Sequence, residues 1–283
     1  MKPFDRRTLS IDMGNHSYKI IEAVKKPDVH ILRYEILPPE ESGAAGALAG
    51  EGRKLRYRTM DAVMSFHHES TVIRELKLSE KDDSRLPLVI EEEMLQYQTD
   101  FRKEYDFDYL LLPERDATGQ RIAQTAAVSR SVNREYIEKA ISLGLKLKAV
   151  DVQIHAALRV LHRLTDRCGE LSPLSSYLIL DLGCHSTTIA IVYLGKVFGS
   201  RVIPVGCGGS EGAPEDSAGC LSPILRNCVD LIDTFTYAYA GIPLQQGLVY
   251  GGGVYTGILS DLKRNIPLDL TDMGSFRSYF PEI

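Results

Sequence analysis

Runs of apolar and β-branched residues at 8–13, 17–23 and 29–36, parted by short turns, predict three antiparallel strands at the start of the chain. The stretch PPEESGAAGALAGEG at 38–52 has no period and reads as a mobile excursion between elements. From Thr71 the pattern changes. TVIRELKL predicts a strand, and Leu86, Ile90, Met94 and Tyr97 share one face of a helix. FDYLLLP and RIAQTAAVS predict two more strands; Val132, Tyr136, Ile137, Ala140 and Ile141 then stripe a second helix, with Gly144 placed to stop it. Together these make an α+β unit over about 71–148. LKLKAVDVQ leads into a third helix, striped by Ile154, Ala157, Leu158, Leu161 and Leu164. ELSPLSS at 170–176 reads as the boundary between a first lobe, 1–172, and a second, 173–283.

Strands at 177–182, 186–194 and 197–203 open the second lobe in the same order as the first. A Gly/Pro-rich loop, PVGCGGSEGAPEDSAGC, follows them. Ser222 and Pro223 supply an N-cap and a first-turn proline for a long helix carrying Ile224, Cys228, Leu231, Ile232, Phe235 and Tyr239, which ends near Gly241. GLVYGGGVYTGILSDL predicts a buried strand, a glycine turn and a helix start.

The repetition extends to the letters. LSIDMGNHSYKI at 9–20 and LILDLGCHSTTI at 178–189 agree at six of twelve positions: Leu9 with Leu178, Asp12 with Asp181, Gly14 with Gly183, His16 with His185, Ser17 with Ser186 and Ile20 with Ile189. Each phrase runs a strand into Asp-x-Gly, turns through small polar residues and returns, which makes a tight hairpin tip. Such a tip holds phosphate well: Gly14 and Gly183 let an oxygen approach the backbone, Ser17 and Ser186 can donate, and Asp12 and Asp181 can orient magnesium-bound water. Lys19 and Thr187, beside the tips, join the candidate set. Asp-x-Gly is also ordinary turn chemistry; its duplication at matching points favours the phosphate clamp.

Composition narrows the classes. With 283 residues, 44% hydrophobic and 25% charged, the chain is an ordinary globular one. A net charge of -5, with no basic cluster beyond the mixed GRKLRYR at 52–58, argues against nucleic acid. The N-terminus has no signal-peptide core, and no run approaches the 18 or so apolar residues a membrane span needs, so a cytoplasmic protein is expected. Five cysteines (Cys168, Cys184, Cys207, Cys220 and Cys228) without C-x-x-C spacing suggest reduced thiols rather than disulfides or zinc. His67, His68 and the matched His16 and His185 read as solvated polar residues.

The sequence resembles the actin-like ATPase superfamily. IDMGNHSYKI is similar to its first phosphate motif, LDLGCHSTTIAI to its second and LVYGGGVYTGIL to its adenosine motif, which carries Gly251, Gly252 and Gly253. Within the superfamily the resemblance is to the PilM family of type IV pilus assembly proteins, over nearly the whole chain; it also covers IIEA, LPLVIEEEMLQYQTDF, AAVSRSVNREYIEKAISLGLKLKAVDVQIHAAL and ILRNCVDLIDTF. This resemblance implies an α/β, actin-like (ribonuclease H-like) two-lobed duplication with an α+β insertion in lobe one. It also implies ATP and magnesium as cofactors, with Asp12 and Asp181 holding the metal through water. The position of the catalytic Glu or Gln falls on Gln153, which an ordinary helix-start residue could equally occupy, with Asp151 as N-cap. One departure stands out. About eighteen residues, Pro204 to Leu221, stand where the family has a helical nucleotide-covering subdomain. The helical subdomain of lobe two is therefore expected to be reduced and the ATP site weak or degenerate.

The function implied is that of a cytoplasmic scaffold at the inner face of the cell membrane. Its partner would be the N-terminal cytoplasmic tail of a PilN-like membrane protein, docked in a groove between the inserted unit and the rest of lobe one, with other pilus inner-membrane components as further partners. A small-molecule or sugar kinase of the same superfamily is the alternative. Such an enzyme needs a general base and substrate loops from both lobes, and no Asp-rich loop beyond the repeated phrases offers them. A chaperone would require a peptide-binding domain after residue 283.

Overall fold

A computed structural model describes residues 7–14, 16–26, 28–37, 57–79, 83–116, 118–167, 171, 175–208 and 217–279. The expected excursion at 38–52, most of the expected lobe boundary at 170–176 and most of the Gly/Pro-rich loop after Gly208 lie outside the described residues. The chain divides into two compact units, 1–69 with 139–283, and 70–138.

The larger unit contains two five-stranded sheets of one design. In the first, β1 (Arg7–Met13) pairs antiparallel with β2 (Tyr18–Lys26), β2 pairs antiparallel with β3 (Asp28–Leu37), and β4 (Asp61–Phe66) and β8 (Lys146–Val152) extend the other side in parallel, in the order β3-β2-β1-β4-β8. The second sheet repeats this order with β9 (Ser176–Leu182), β10 (Thr187–Tyr193), β11 (Lys196–Ile203), β12 (Leu244–Tyr250) and β13 (Asp269–Asp272), running β11-β10-β9-β12-β13. The duplicated phrase is thus one hairpin used twice. All seven residues of β9 are buried, as expected of a central strand with parallel and antiparallel neighbours.

Strands β4 and β8 are additions to the sequence-based expectation. DAVMSF is only six residues long, and KLKAVDV is broken by the charges of Lys146, Lys148 and Asp151. Their parallel pairing, β4 with β1 and β8 with β4, is a non-local partnership that local letters do not report.

Helix α4 (Gln153–Arg167) packs its buried stripe of Ile154, Leu158, Leu161 and Leu164 against β4 and β8 of one sheet and β10 and β11 of the other. Burying each such side chain contributes about 1.5–3 kcal/mol. Helix α5 (Ser217–Ala238) covers the second sheet through Ile224, Cys228, Leu231 and Phe235, joined by Ile258 and Leu262 of α6 (Ile258–Asn265). The expected N-cap at Ser222 is not one. The helix begins at Ser217, so Pro223 lies inside it. Proline offers no N–H to the carbonyl one turn back, that of Gly219. Its own carbonyl accepts a bond from the Asn227 side chain at 2.9 Å.

In the smaller unit β5 (Val72–Leu78), β7 (Arg121–Ser129) and β6 (Tyr105–Arg115) form an antiparallel sheet in the order β5-β7-β6. Helix α1 (Leu86–Met94) and the short α2 (Phe101–Glu104) pack on it through Leu86, Ile90, Met94 and Phe101. Tyr97 lies beyond the end of α1 and is exposed, with the Arg74 guanidinium over its ring. Helix α3 (Arg130–Ser142), which begins in the smaller unit and ends in the larger, buries Ala140 but leaves Ile141 exposed, so the expected stripe is narrower than its letters suggest. Gly144, at φ 71°, ends the segment as expected. Among the described residues no helix is long and apolar enough to cross a membrane.

Candidate functional site

The two hairpin tips share a backbone geometry that explains their glycines. A Cβ on Gly14 would stand 2.9 Å from the Ser17 carbonyl oxygen, and one on Gly183 would stand 2.6 Å from the Ser186 carbonyl oxygen. In the second tip the Gly183 N–H also donates to that oxygen at 3.0 Å. Both glycines therefore have a structural reason to be there, whatever the tips bind.

Register places the aspartates at equivalent points. Asp12 pairs with Lys19 across β1–β2, and Asp181 pairs with Thr188 across β9–β10. In lobe one the cross-strand partner neutralises the carboxylate directly, with Lys19 Nζ 2.8 Å from Asp12 Oδ2. In lobe two a third residue intervenes. Gln153, at the start of α4, donates its side-chain amide to Asp181, and its oxygen accepts from the Thr188 hydroxyl at 3.3 Å. Asp181 is 7% exposed, not open to solvent as a turn residue beside a cleft would be. Burial pushes its carboxyl up to about 6; the Gln153 bond opposes this, the Asp12 charge adds to it and Lys19 counters it. Tyr250 is its parallel neighbour on β12. The Tyr250 hydroxyl is buried, and burial together with the charges of Asp181 and Asp12 raises this phenol well above the usual range.

Three buried polar atoms in this neighbourhood have no hydrogen-bond partner among the described residues: Asp12 Oδ1, His67 Nδ1 and the Tyr250 hydroxyl. Such atoms normally meet water, an ion or a ligand.

His67, just past β4, is not the solvated residue expected. Its Nε2 lies 2.6 Å from Ser186 Oγ. Burial lowers its pKa, Asp12 opposes that, and Lys19 and His68 add to the lowering. The candidate donor Ser186 is thereby tied to the first lobe. Thr187 is fully buried and gives its hydroxyl to the Val205 carbonyl at 2.7 Å, so its side chain serves the core of its own lobe rather than the cleft. Ser17 is half-buried.

The glycine turn after β12 comes to the same place. Gly251 has φ 100°, and a Cβ there would meet Asp181 Oδ1 at 2.6 Å and the Leu182 carbonyl oxygen at 2.5 Å. Gly253 is close to Cys207 and Leu182, whereas Gly252 has open space where a side chain would be. The segment after β11 braces the second tip. Cys207 N–H donates to the Gly183 carbonyl at 2.9 Å and Gly208 N–H to the Cys184 carbonyl at 3.1 Å, while Gly206 and Gly208 lie too close to Cys184 for any side chain. At the tips themselves His16 and His185 face each other with ring centroids 6.4 Å apart.

No protein-family model matches the chain. Solved structures do share its architecture. A structure of Bacteroides thetaiotaomicron described as having an actin-like ATPase fold and unknown function superposes with a TM-score of 0.52 at 11% identity, covering 96% of this chain and 92% of that one. The fold is actin-like. A chain of a PilM–PilN type IV pilus biogenesis complex shares this actin-like fold with a TM-score of 0.73 at 16% identity, over 97% of this chain and 90% of that one. MreB 5 of Spiroplasma citri, solved with AMPPNP bound, superposes with a TM-score of 0.50 at 11% identity, over 99% and 95% of the two chains. The repeated phrases, Gln153 and the glycine turn thus sit at the heart of an actin-like duplication.

Sequence alone does not assign His67, Tyr250 or the brace at 206–208 to the site. His67 stands in no motif. Tyr250 ends a strand that reads as pure core, and the brace lies within a segment whose glycines signal only a loop.

Proposed function

We propose that the protein is a cytoplasmic actin-like scaffold of a type IV pilus or related secretion assembly, which binds the N-terminal cytoplasmic tail of a PilN-like membrane protein. The observation that carries this is the likeness to the PilM–PilN complex across 97% of the chain. The inserted unit, 70–138, supplies a surface suited to an extended peptide. Among the described residues both β5 and β6 are sheet edges, and Leu88 and Leu110 stand exposed on α1 and β6.

The nucleotide site of this scaffold is weak. The residues fit a hydrated magnesium ion and phosphate: two carboxylates, one of them kept at a cost in stability, a lysine paired with Asp12, and an unpartnered Asp12 oxygen. Asp12 and Asp181 would hold the metal through water, and Gly14, Ser17, Lys19, Gly183, Ser186 and Gly251–Gly253 would face the nucleotide. The ion would neutralise phosphate charge. Gln153 has both ends of its amide committed, to Asp181 and Thr188, so it positions Asp181 more readily than an attacking water. The stretch between β11 and α5, 204–216, is too short to wall an adenine with a helical subdomain. A fluorescent fusion of the full chain tests the scaffold in cells: it should line the membrane when the membrane partner is present and disperse when the partner's gene is deleted. Unchanged membrane signal after that deletion contradicts the proposal.

A further inference from the structure

We propose that the two hairpin tips form a binding site for a borderline-soft divalent cation, zinc foremost, with His16, Cys184 and His185 as its protein ligands. One ring nitrogen of each histidine and the Cys184 sulfur all lie within 4.8 Å of one another. They come from chain segments far apart in sequence. His16 belongs to the β1–β2 tip, and Cys184 and His185 to the β9–β10 tip, with the two histidines at equivalent positions of the repeated phrase.

A tetrahedral zinc holds nitrogen at about 2.0–2.1 Å and sulfur at about 2.3 Å, so its donor atoms stand about 3.3–3.7 Å apart. Donor atoms already within 4.8 Å of one another have at most about 1.5 Å to close to reach that spacing. His16 and His185 are exposed and can swing, and their rings already meet at 61° without stacking face to face. The half-buried Cys184 is the more fixed corner, since Gly208 N–H donates to its carbonyl and Gly206 and Gly208 pack closely against it. Two nitrogens and a thiolate are the donors zinc prefers and magnesium does not. Three protein ligands leave a fourth position for water or for an anionic oxygen, the open form of a zinc site.

The site is distinct from the carboxylate pair. Asp12 and Asp181 lie on β1 and β9 ahead of the tips and supply the hard oxygens that suit magnesium. An ion at the tips ties one hairpin to the other. Metal binding here and the scaffold role are independent properties, and either can fail without the other.

Cobalt(II) titration of the full-length protein, stripped of metal with chelator under reducing conditions, tests the site. The expected result is one equivalent bound, with a near-ultraviolet sulfur-to-cobalt charge-transfer band that zinc abolishes. Cys184→Ser, which preserves volume, should remove that band. His16→Ala and His185→Ala should each weaken zinc binding by roughly tenfold or more, since loss of a ligand costs at least as much as loss of a supporting partner. Zinc should raise the melting temperature of the wild type more than that of His16→Ala. Absence of the band in the wild type, or its persistence in Cys184→Ser, overturns the site. Unchanged affinity in His16→Ala overturns the bridge between tips.

Discussion

The side-chain amide of Gln153 donates to Asp181 and, through its oxygen, accepts from Thr188, so one residue at the start of a helix joins both strands of the second hairpin. Replacing Gln153 by Ala strips a buried carboxylate of its donor, a loss worth about 1–3 kcal/mol. Urea denaturation at pH 7.5 should show that loss. In an Asp181→Asn background the same change should cost less than half as much, because no charge is left stranded.

Asp181 itself sets a pH dependence. Its folded pKa of about 6 lies above the ordinary carboxylate value of 3.8, so the folded chain holds this proton more tightly. Its contribution to stability is complete below about pH 4, is lost as pH rises through about 6 and stays lost above. Two pKa units correspond to roughly 3 kcal/mol as an upper figure. Asp181→Asn should therefore be more stable than the wild type at pH 7.5, by about 1–3 kcal/mol, with the difference vanishing near pH 4. Equal stability of the two proteins at pH 7.5 would mean that the carboxylate is solvated.

His67 works in the opposite sense. Its pKa is lowered on folding, so the stability it supports is present above the unfolded value of 6.5 and declines as pH falls below it. His67→Gln keeps a group able to bond Ser186 and removes the titration. The wild type should lose stability relative to this variant as pH falls below about 6.5, as read by thermal unfolding over a series of acid pH values.

How far the letters reveal this site depends on the residue. The two hairpins, Asp12 and Asp181, and the glycine turn are legible because turns and alternation are local, and because duplication marks one local pattern as deliberate. The Ser186–His67 contact is not. It depends on β4 lying beside β1, a non-local parallel pairing that six residues cannot announce. Burial of Asp181 follows from the packing of α4 and β12 around it, which no property of Asp-x-Gly foretells. The start of α5 is misread for another reason. Proline favours a first turn, and Ser222 before it makes a good cap, yet the chain from Ser217 to Ser222 is already helical ahead of Pro223. Burial of Ile224, Cys228 and Leu231 holds the helix together downstream, so the missing proline N–H is tolerated near its beginning.

Nucleotide binding should be weak. Calorimetry with Mg-ATP is expected to give a dissociation constant above about 100 µM, and Asp12→Asn should weaken it further. A constant below about 10 µM, or phosphate release that disappears in Gln153→Ala, contradicts a degenerate site.

The scaffold proposal is tested most directly by calorimetric titration of the full-length protein with a synthetic peptide of the membrane partner's N-terminal cytoplasmic tail. One-to-one binding at about 1 µM, near -8 kcal/mol, is expected. The double variant Leu88→Asp/Leu110→Asp, at exposed positions of the 70–138 unit, should bind at least about tenfold more weakly while melting at the wild-type temperature, a loss of about 1.4 kcal/mol. No saturable binding of the tail by the wild-type protein would contradict the account.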